Sequence, residues 1–261
     1  MKWGFCTIAF RDGDVLEVIR KAAETGYDEV EIIGKHIDGK SNQDLDEIRE
    51  TARKAGIGIS GVSPYFWLTQ NEELLKESMV VAERFVAMAR RLGARMIRTF
   101  TDAGPTGIGS DVATAEHWRI AVESLQKITA MAPELLFAVE THHKTLADTP
   151  ETCKQLLKKV DRPNLKLIYQ PFQNGQITDD FISLEPDVRH VHLNPHIGAN
   201  PKGGLADCGL DYEALIRCLA RRNYPYACAV EFCDPAGGNW DEIRETLAWC
   251  RRQSHARTDN G

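Results

Sequence analysis

The stretch Leu135-Leu136-Phe137-Ala138-Val139-Glu140-Thr141-His142-His143 decides how the chain is read. Five apolar residues run into a glutamate, and a histidine follows two positions later. A short apolar run ending in polar side chains is the pattern of a buried strand whose last residues emerge at a mouth. Residues two apart on a strand share a face, so Glu140 and His142 are expected to point together. A carboxylate beside an imidazole at a strand end makes half of a divalent-metal site.

Working outward, strand-like and helix-like segments alternate along the chain at a spacing of roughly 30 residues. Strands are expected at 3–10, 29–34, 57–62 and 94–100 before the one that carries Glu140. Three more follow, at 165–170, 188–193 and 227–232. Helical periodicity covers 14–25, 44–55, 71–92, 114–131, 211–222 and 239–250, and another helix opens at Thr149-Pro150. The segment 177–184 has room for a short helix only. Asp14 is placed to cap the first helix, and Gly26, Gly56 and Gly93 to stop three of them. Strand-helix alternation yields a parallel sheet. Eight near-equal units in 261 residues predict an α/β protein, a (β/α)8 TIM barrel in one domain over residues 1–253. The polar tail 254–261 is expected to fray.

Composition excludes several classes. The net charge of -6 argues against nucleic acid as a partner, which needs cationic patches. No apolar run approaches the length needed to cross a bilayer, and the N-terminus lacks signal-peptide architecture, so no membrane partner is expected. Seven scattered cysteines with no Cys-x-x-Cys pair read as reduced thiols, hence a cytoplasmic protein. No Gly-x-Gly-x-x-Gly follows the first strand, and the loop 106–110 lacks a P-loop lysine and reads only as a mobile-loop candidate. The run Pro64-Tyr65-Phe66-Trp67-Leu68 suits an apolar wall or lid, a contact in a homo-oligomer, or plain packing.

In such a barrel the active site lies at the carboxyl ends of the strands. The polar residues there on strands five to eight are Glu140 with His142, Gln170, His192 with Asn194, and Glu231. One such glutamate alone is usually solvated or ion-paired. Four adjacent strand ends, each with an oxygen or nitrogen donor, point to one divalent ion: Mn²⁺, Mg²⁺, Co²⁺ or Zn²⁺.

The segments Val139-Glu140-Thr141-His142, Asp148-Thr149-Pro150-Glu151, Arg189-His190-Val191-His192-Leu193, Gly209-Leu210-Asp211-Tyr212 and Val230-Glu231-Phe232 carry a resemblance. In them, and over nearly its whole length, the chain resembles the xylose isomerase-like TIM-barrel superfamily of sugar isomerases and epimerases. The resemblance implies that Glu140, the strand-six position, His192 and Glu231 bind one metal ion. Family members usually carry aspartate at strand six, where this chain has Gln170. The exchange lowers the ligand charge, which is expected to weaken metal affinity or to leave the ion a stronger Lewis acid. The resemblance also implies a small sugar or polyol-derived substrate. Glu140 and Glu231 would remove and return a proton next to its carbonyl, and His142 would hold a hydroxyl. Arg98, Asn194 and Lys202 are further candidate substrate contacts, with an ion-pair role as the plainer reading of Arg98 and Lys202. Isomerisation or epimerisation of a ketose is the expected activity. Dehydration of a keto-inositol or dehydroshikimate-type substrate is the alternative. An abasic-site endonuclease would need more histidines at earlier strand ends, where strands two to four offer Glu31, Ser63-Pro64, Thr99 and Asp102. A non-catalytic sugar-binding protein is favoured only by Gln170.

Overall fold

The computed structural model describes residues 1–102, 107–172, 176–200, 202, 204–234 and 237–256. Eight strands close a barrel in chain order: β1 (Lys2–Cys6), β2 (Glu29–Ile33), β3 (Gly58–Ser63), β4 (Met96–Thr99), β5 (Leu136–Glu140), β6 (Leu165–Tyr169), β7 (Val188–Leu193) and β8 (Ala227–Val230). Every neighbouring pair is parallel, and β8 returns to β1. The helices are α1 (Val15–Thr25), α2 (Gly34–Ile37), α3 (Asn42–Ala55), α4 (Glu72–Leu92), α5 (Ala115–Met131), α6 (Pro150–Val160), α7 (Ile177–Leu184), α8 (Gly204–Asp207), α9 (Tyr212–Arg221) and α10 (Trp240–His255). The expected (β/α)8 barrel is the observed one.

Local chemistry sets the boundaries. The Asp14 side chain accepts from the Leu16 amide at the start of α1, and Gly26 ends the helix at φ 102°, a left-handed conformation that disfavours a Cβ. The main core lies between the outward faces of the strands and the apolar stripes of the helices. A small separate cluster, Met96, Ala138 and Ile168, stands on the opposite faces of β4, β5 and β6.

Four local expectations change. The first strand stops at Cys6, and Thr7–Phe10 form a 3-10 turn. That turn brings the Thr7 hydroxyl to the Ile33 amide and the His36 ring, satisfying polar groups a straight strand would leave apart. The third strand runs one residue later than expected, through Ser63. The short helices α2 and α8 occupy stretches that read as polar loop. Helix α10 continues to His255, inside the stretch expected to fray, where Ser254 and His255 both bond the Arg251 carbonyl. Thr106 of the loop 106–110 and tail residues 257–261 lie outside the described residues.

Candidate metal centre

Side chains on alternate positions of a barrel strand point inward, and those at the carboxyl ends gather at one mouth. Glu140 ends β5, His192 lies within β7, and Glu231 directly follows β8. All three are buried, and one donor atom from each lies within 4.8 Å of the others. His192 Nδ1 is 3.1 Å from Glu140 Oε1 and 3.5 Å from Glu231 Oε2. These are the spacings of neighbouring ligands on one ion, which stand about 3 Å apart when each bond is about 2.1 Å.

Gln170 follows β6 at the same level, but its carbonyl is engaged. Asn194 Nδ2 donates to Gln170 Oε1 at 3.1 Å and to Glu231 Oε2 at 3.0 Å. Asn194 is itself held by Tyr212, whose hydroxyl accepts from the Asn194 amide and donates to its carbonyl. The structure thus brings Gln170 to the rim of the cluster through Asn194. The Cys6 thiol reaches the other oxygen of Glu231 at 3.9 Å.

Arg98, on β4, donates from Nη1 to Glu140 Oε2 at 2.9 Å. Its guanidinium lies against the rings of Phe100 and Tyr65, 4.7 and 5.0 Å from their centroids. Nε and Nη2 are buried and have no partner among the described residues. Arg98, Tyr65 and Phe100 line a cavity of about 210 Å³ with Glu140, Gln170, Asn194 and Glu231. His142 lines it too, although β5 has ended before it. Its ring stacks on His143 and meets the Phe100 ring edge-on. A second hollow of about 430 Å³ adjoins through His142, His143, Lys144 and Gln170. Lys202 is elsewhere, exposed in a surface depression with Glu242, Trp249 and Arg252. The structure does not bring it to the site.

The electrostatics of these donors bears on whether a cation fits among them. Glu31, Glu140 and Glu231 place three carboxylates in the interior, against one guanidinium. Burial alone would raise Glu140, but His192 and Arg98 outweigh it and hold the carboxyl down at about 2. Burial pushes Glu231 up to about 7. The charges of Glu140 and Glu31 add to that push, and His192 and Arg98 oppose it. Burial opposes a charge on His192, yet Glu231, Glu31 and Glu140 together raise it well above the ordinary imidazole range. A proton on His192 supplies the positive charge that a divalent ion among the same donors would supply. The residues present therefore fit a metal ion, which would take His192 without that proton.

The sequence signals missed the partners of His192 across the barrel. Its Nε2 lies 2.8 Å from Glu31 Oε2 on β2. On the sequence alone Glu31 reads only as a strand-two donor for a nuclease site. A glutamate within the otherwise buried stretch Glu29-Val30-Glu31-Ile32-Ile33 was the available signal, since buried carboxylates require partners.

A xylose isomerase-like TIM barrel is the family that matches, over residues 19–253. The chain belongs to that family. It is 27% identical over 207 residues to a 3-dehydroshikimate dehydratase of Bacillus anthracis, covering 74% of this chain and 71% of the relative. Among solved structures, D-psicose 3-epimerase from Clostridium cellulolyticum H10 with D-tagatose aligns at TM-score 0.81 and 17% identity, covering 98% of this chain and all of the other. A xylose isomerase-like TIM barrel protein from Mycobacterium smegmatis in complex with magnesium aligns at TM-score 0.71 and 15% identity, covering 97% and 96%. At these identities the structural neighbours show the shared fold. None of the described helices is long and apolar enough to cross a membrane.

Proposed function

We propose that the chain is a divalent-metal-dependent isomerase or epimerase, which moves a proton at the carbon beside the carbonyl of a small polyol-derived substrate. The observation that carries this reading is the meeting of Glu140, His192 and Glu231 in a buried pocket with an excess of carboxylate. Glu140, His192 and Glu231 would hold the ion, with Gln170 beside them. When bound, a divalent ion supplies Lewis acidity that makes the carbon next to a carbonyl easier to deprotonate.

The residues divide the remaining work. Glu140 is the carboxylate that stands ionised and so open to a proton, because His192 and Arg98 hold its oxygens. Glu231 retains a proton more readily and is the group to return one. Asn194 fixes the Glu231 oxygen that faces His192. His142 holds a substrate hydroxyl at the cavity wall. Arg98 lines the cavity, and its guanidinium charge suits an anionic group on the substrate, such as a carboxylate. Lys202 lines a separate surface depression. Seven cysteines without a disulfide suit a reducing, cytoplasmic setting. The net charge of -6 is unsuited to nucleic acid.

A second reading, dehydration of a dehydroshikimate-type acid, is favoured by the Bacillus anthracis relative and by Arg98. It uses the same proton abstraction, with His142 delivering a proton to the departing hydroxyl. Incubating the metal-loaded protein with ketoses, keto-inositols and 3-dehydroshikimate in heavy water distinguishes the two. Isomerisation or epimerisation gives a product of unchanged composition carrying deuterium. Dehydration gives a product lighter by one water. Neither turnover nor exchange with any of these substrates would refute both.

A further inference from the structure

His192 has two ring nitrogens, and they face different surroundings. Nδ1 faces Glu140 and Glu231 at the mouth. Nε2 faces inward, in hydrogen-bond contact with Glu31 Oε2 at 2.8 Å. The second oxygen of Glu31 accepts a hydrogen bond from the Ser63 hydroxyl at the end of β3. His190 also lies 3.2 Å from Glu31 Oε2, but out of hydrogen-bonding alignment. Glu31, Ser63 and His192 are buried, and the relay Ser63–Glu31–His192 runs from β3 through β2 to β7 across the barrel interior.

We infer that Glu31 is a positioning residue for the metal centre. Resting on the proposed metal site, the inference assigns to Glu31, and behind it Ser63, the orientation and tautomer of the His192 ligand. The physical argument is one of exclusive roles. A ring nitrogen that donates its hydrogen cannot also offer a lone pair to an ion. With the hydrogen held on Nε2 by Glu31, only Nδ1 has a lone pair to give, and it is the nitrogen that faces Glu140 and Glu231. A carboxylate behind an imidazole also increases the electron density that the other nitrogen donates. Ser63 occupies the other oxygen of Glu31 and keeps the carboxylate from swinging away. Glu31 makes no contact with the cavity that would receive substrate, so its effect is carried through His192.

The same atoms allow a rival arrangement. Glu31, His190 and His192 could themselves surround a second ion. The shorter of the two ring contacts favours the relay, 2.8 Å from Nε2 to Glu31 against 3.1 Å from Nδ1 to Glu140, because a second ion would need Nε2 bare.

The test measures metal rather than turnover. Zn²⁺ is titrated calorimetrically into the chelator-stripped full chain and into Glu31→Gln, Ser63→Ala and Glu140→Gln. Ring ¹⁵N shifts of His192 in the Zn²⁺-loaded protein report which nitrogen carries hydrogen. Glu31→Gln is expected to bind about 10- to 100-fold more weakly at an unchanged one ion per chain. The parent is expected to show hydrogen on Nε2. Ser63→Ala removes only the outer link and is expected to weaken binding severalfold. It carries the test if Glu31→Gln does not fold. Affinity within about twofold of the parent in both variants would overturn the inference. So would a bare Nε2 in the loaded parent, or two ions per chain with one lost on Glu31→Gln. If Glu140→Gln also leaves affinity unchanged, it is the metal site itself that fails.

Discussion

Glu29 and Glu31 lie two residues apart on β2, are both buried, and despite that burial are both held below the usual carboxyl range, Glu29 by Lys2 and Arg95 and Glu31 by His192 and His190. Glu29 is at the amino-terminal floor of the barrel, where Lys2 and Arg95 both bond its carboxylate. Those two cations are more than half exposed, so water shares in the solvation of the group. Glu31 is near the carboxyl-terminal mouth, where two further carboxylates stand and Arg98 is the guanidinium that answers them. Burial opposes ionisation of Glu29, yet its two cationic partners hold the carboxyl below its usual range. At the mouth, burial and like charge leave Glu231 raised. The floor is neutralised by its own side chains. The mouth gathers carboxylates answered by Arg98 and His192, the donors that a cation would need. This is the division between stability and chemistry expected of the two faces of such a barrel.

The sharpest way to break the comparison is to neutralise carboxylates at the mouth. Glu140→Gln and Glu231→Gln are each expected to lower turnover at least about a hundredfold with the fold intact, as for loss of a general acid or base. Steady-state kinetics beside circular dichroism checks this. A change confined to KM would make them binding groups only.

A smaller effect concerns pH in the chelator-stripped protein. Glu231 has a folded pKa above its unfolded value, so its contribution to stability is complete below about 4.5 and is lost as pH rises toward about 7. His192, also raised, continues the loss above its ordinary range. Thermal unfolding temperature of the stripped protein should therefore fall between pH 4.5 and 7.5. Glu29, with a lowered pKa, acts in the other direction and at lower pH, losing its contribution as pH falls below about 4.5. Metal loading should flatten the upper part of the profile. Parallel profiles with and without metal would show that no ion relieves the carboxylates.

The smallest expected effect is at the floor. Glu29→Gln should leave kcat and metal affinity within about twofold and cost about 1 kcal/mol of stability, because its partners are largely exposed. Chemical denaturation with the same kinetic assay measures both. A large loss of activity would erase the contrast between floor and mouth.

Periodicity made the eight strands and their order legible. Each strand end then exposed its last polar residue to inspection, which is why Glu140, His192 and Glu231 could be named from sequence and are found together. Lys202 shows where that procedure stops. It follows β7 in the chain, but the short helix α8 and the neighbouring α10 give it surface company instead. Gln170 shows a subtler limit. Its level was legible, but not that Asn194 would engage its carbonyl oxygen.

What the sequence determined by itself was therefore local: the alternation of elements, the caps that end them, and the donor that each strand carries to the mouth. Those features depend on spacings of a few residues, where backbone geometry links position to direction. Which donors meet was decided by closure of the barrel. Glu31 and His192 are 161 positions apart and on non-neighbouring strands, and no periodicity connects them. Ionisation was decided at the same level, because the charge on Glu231 depends on burial and on carboxylates contributed by β2 and β5.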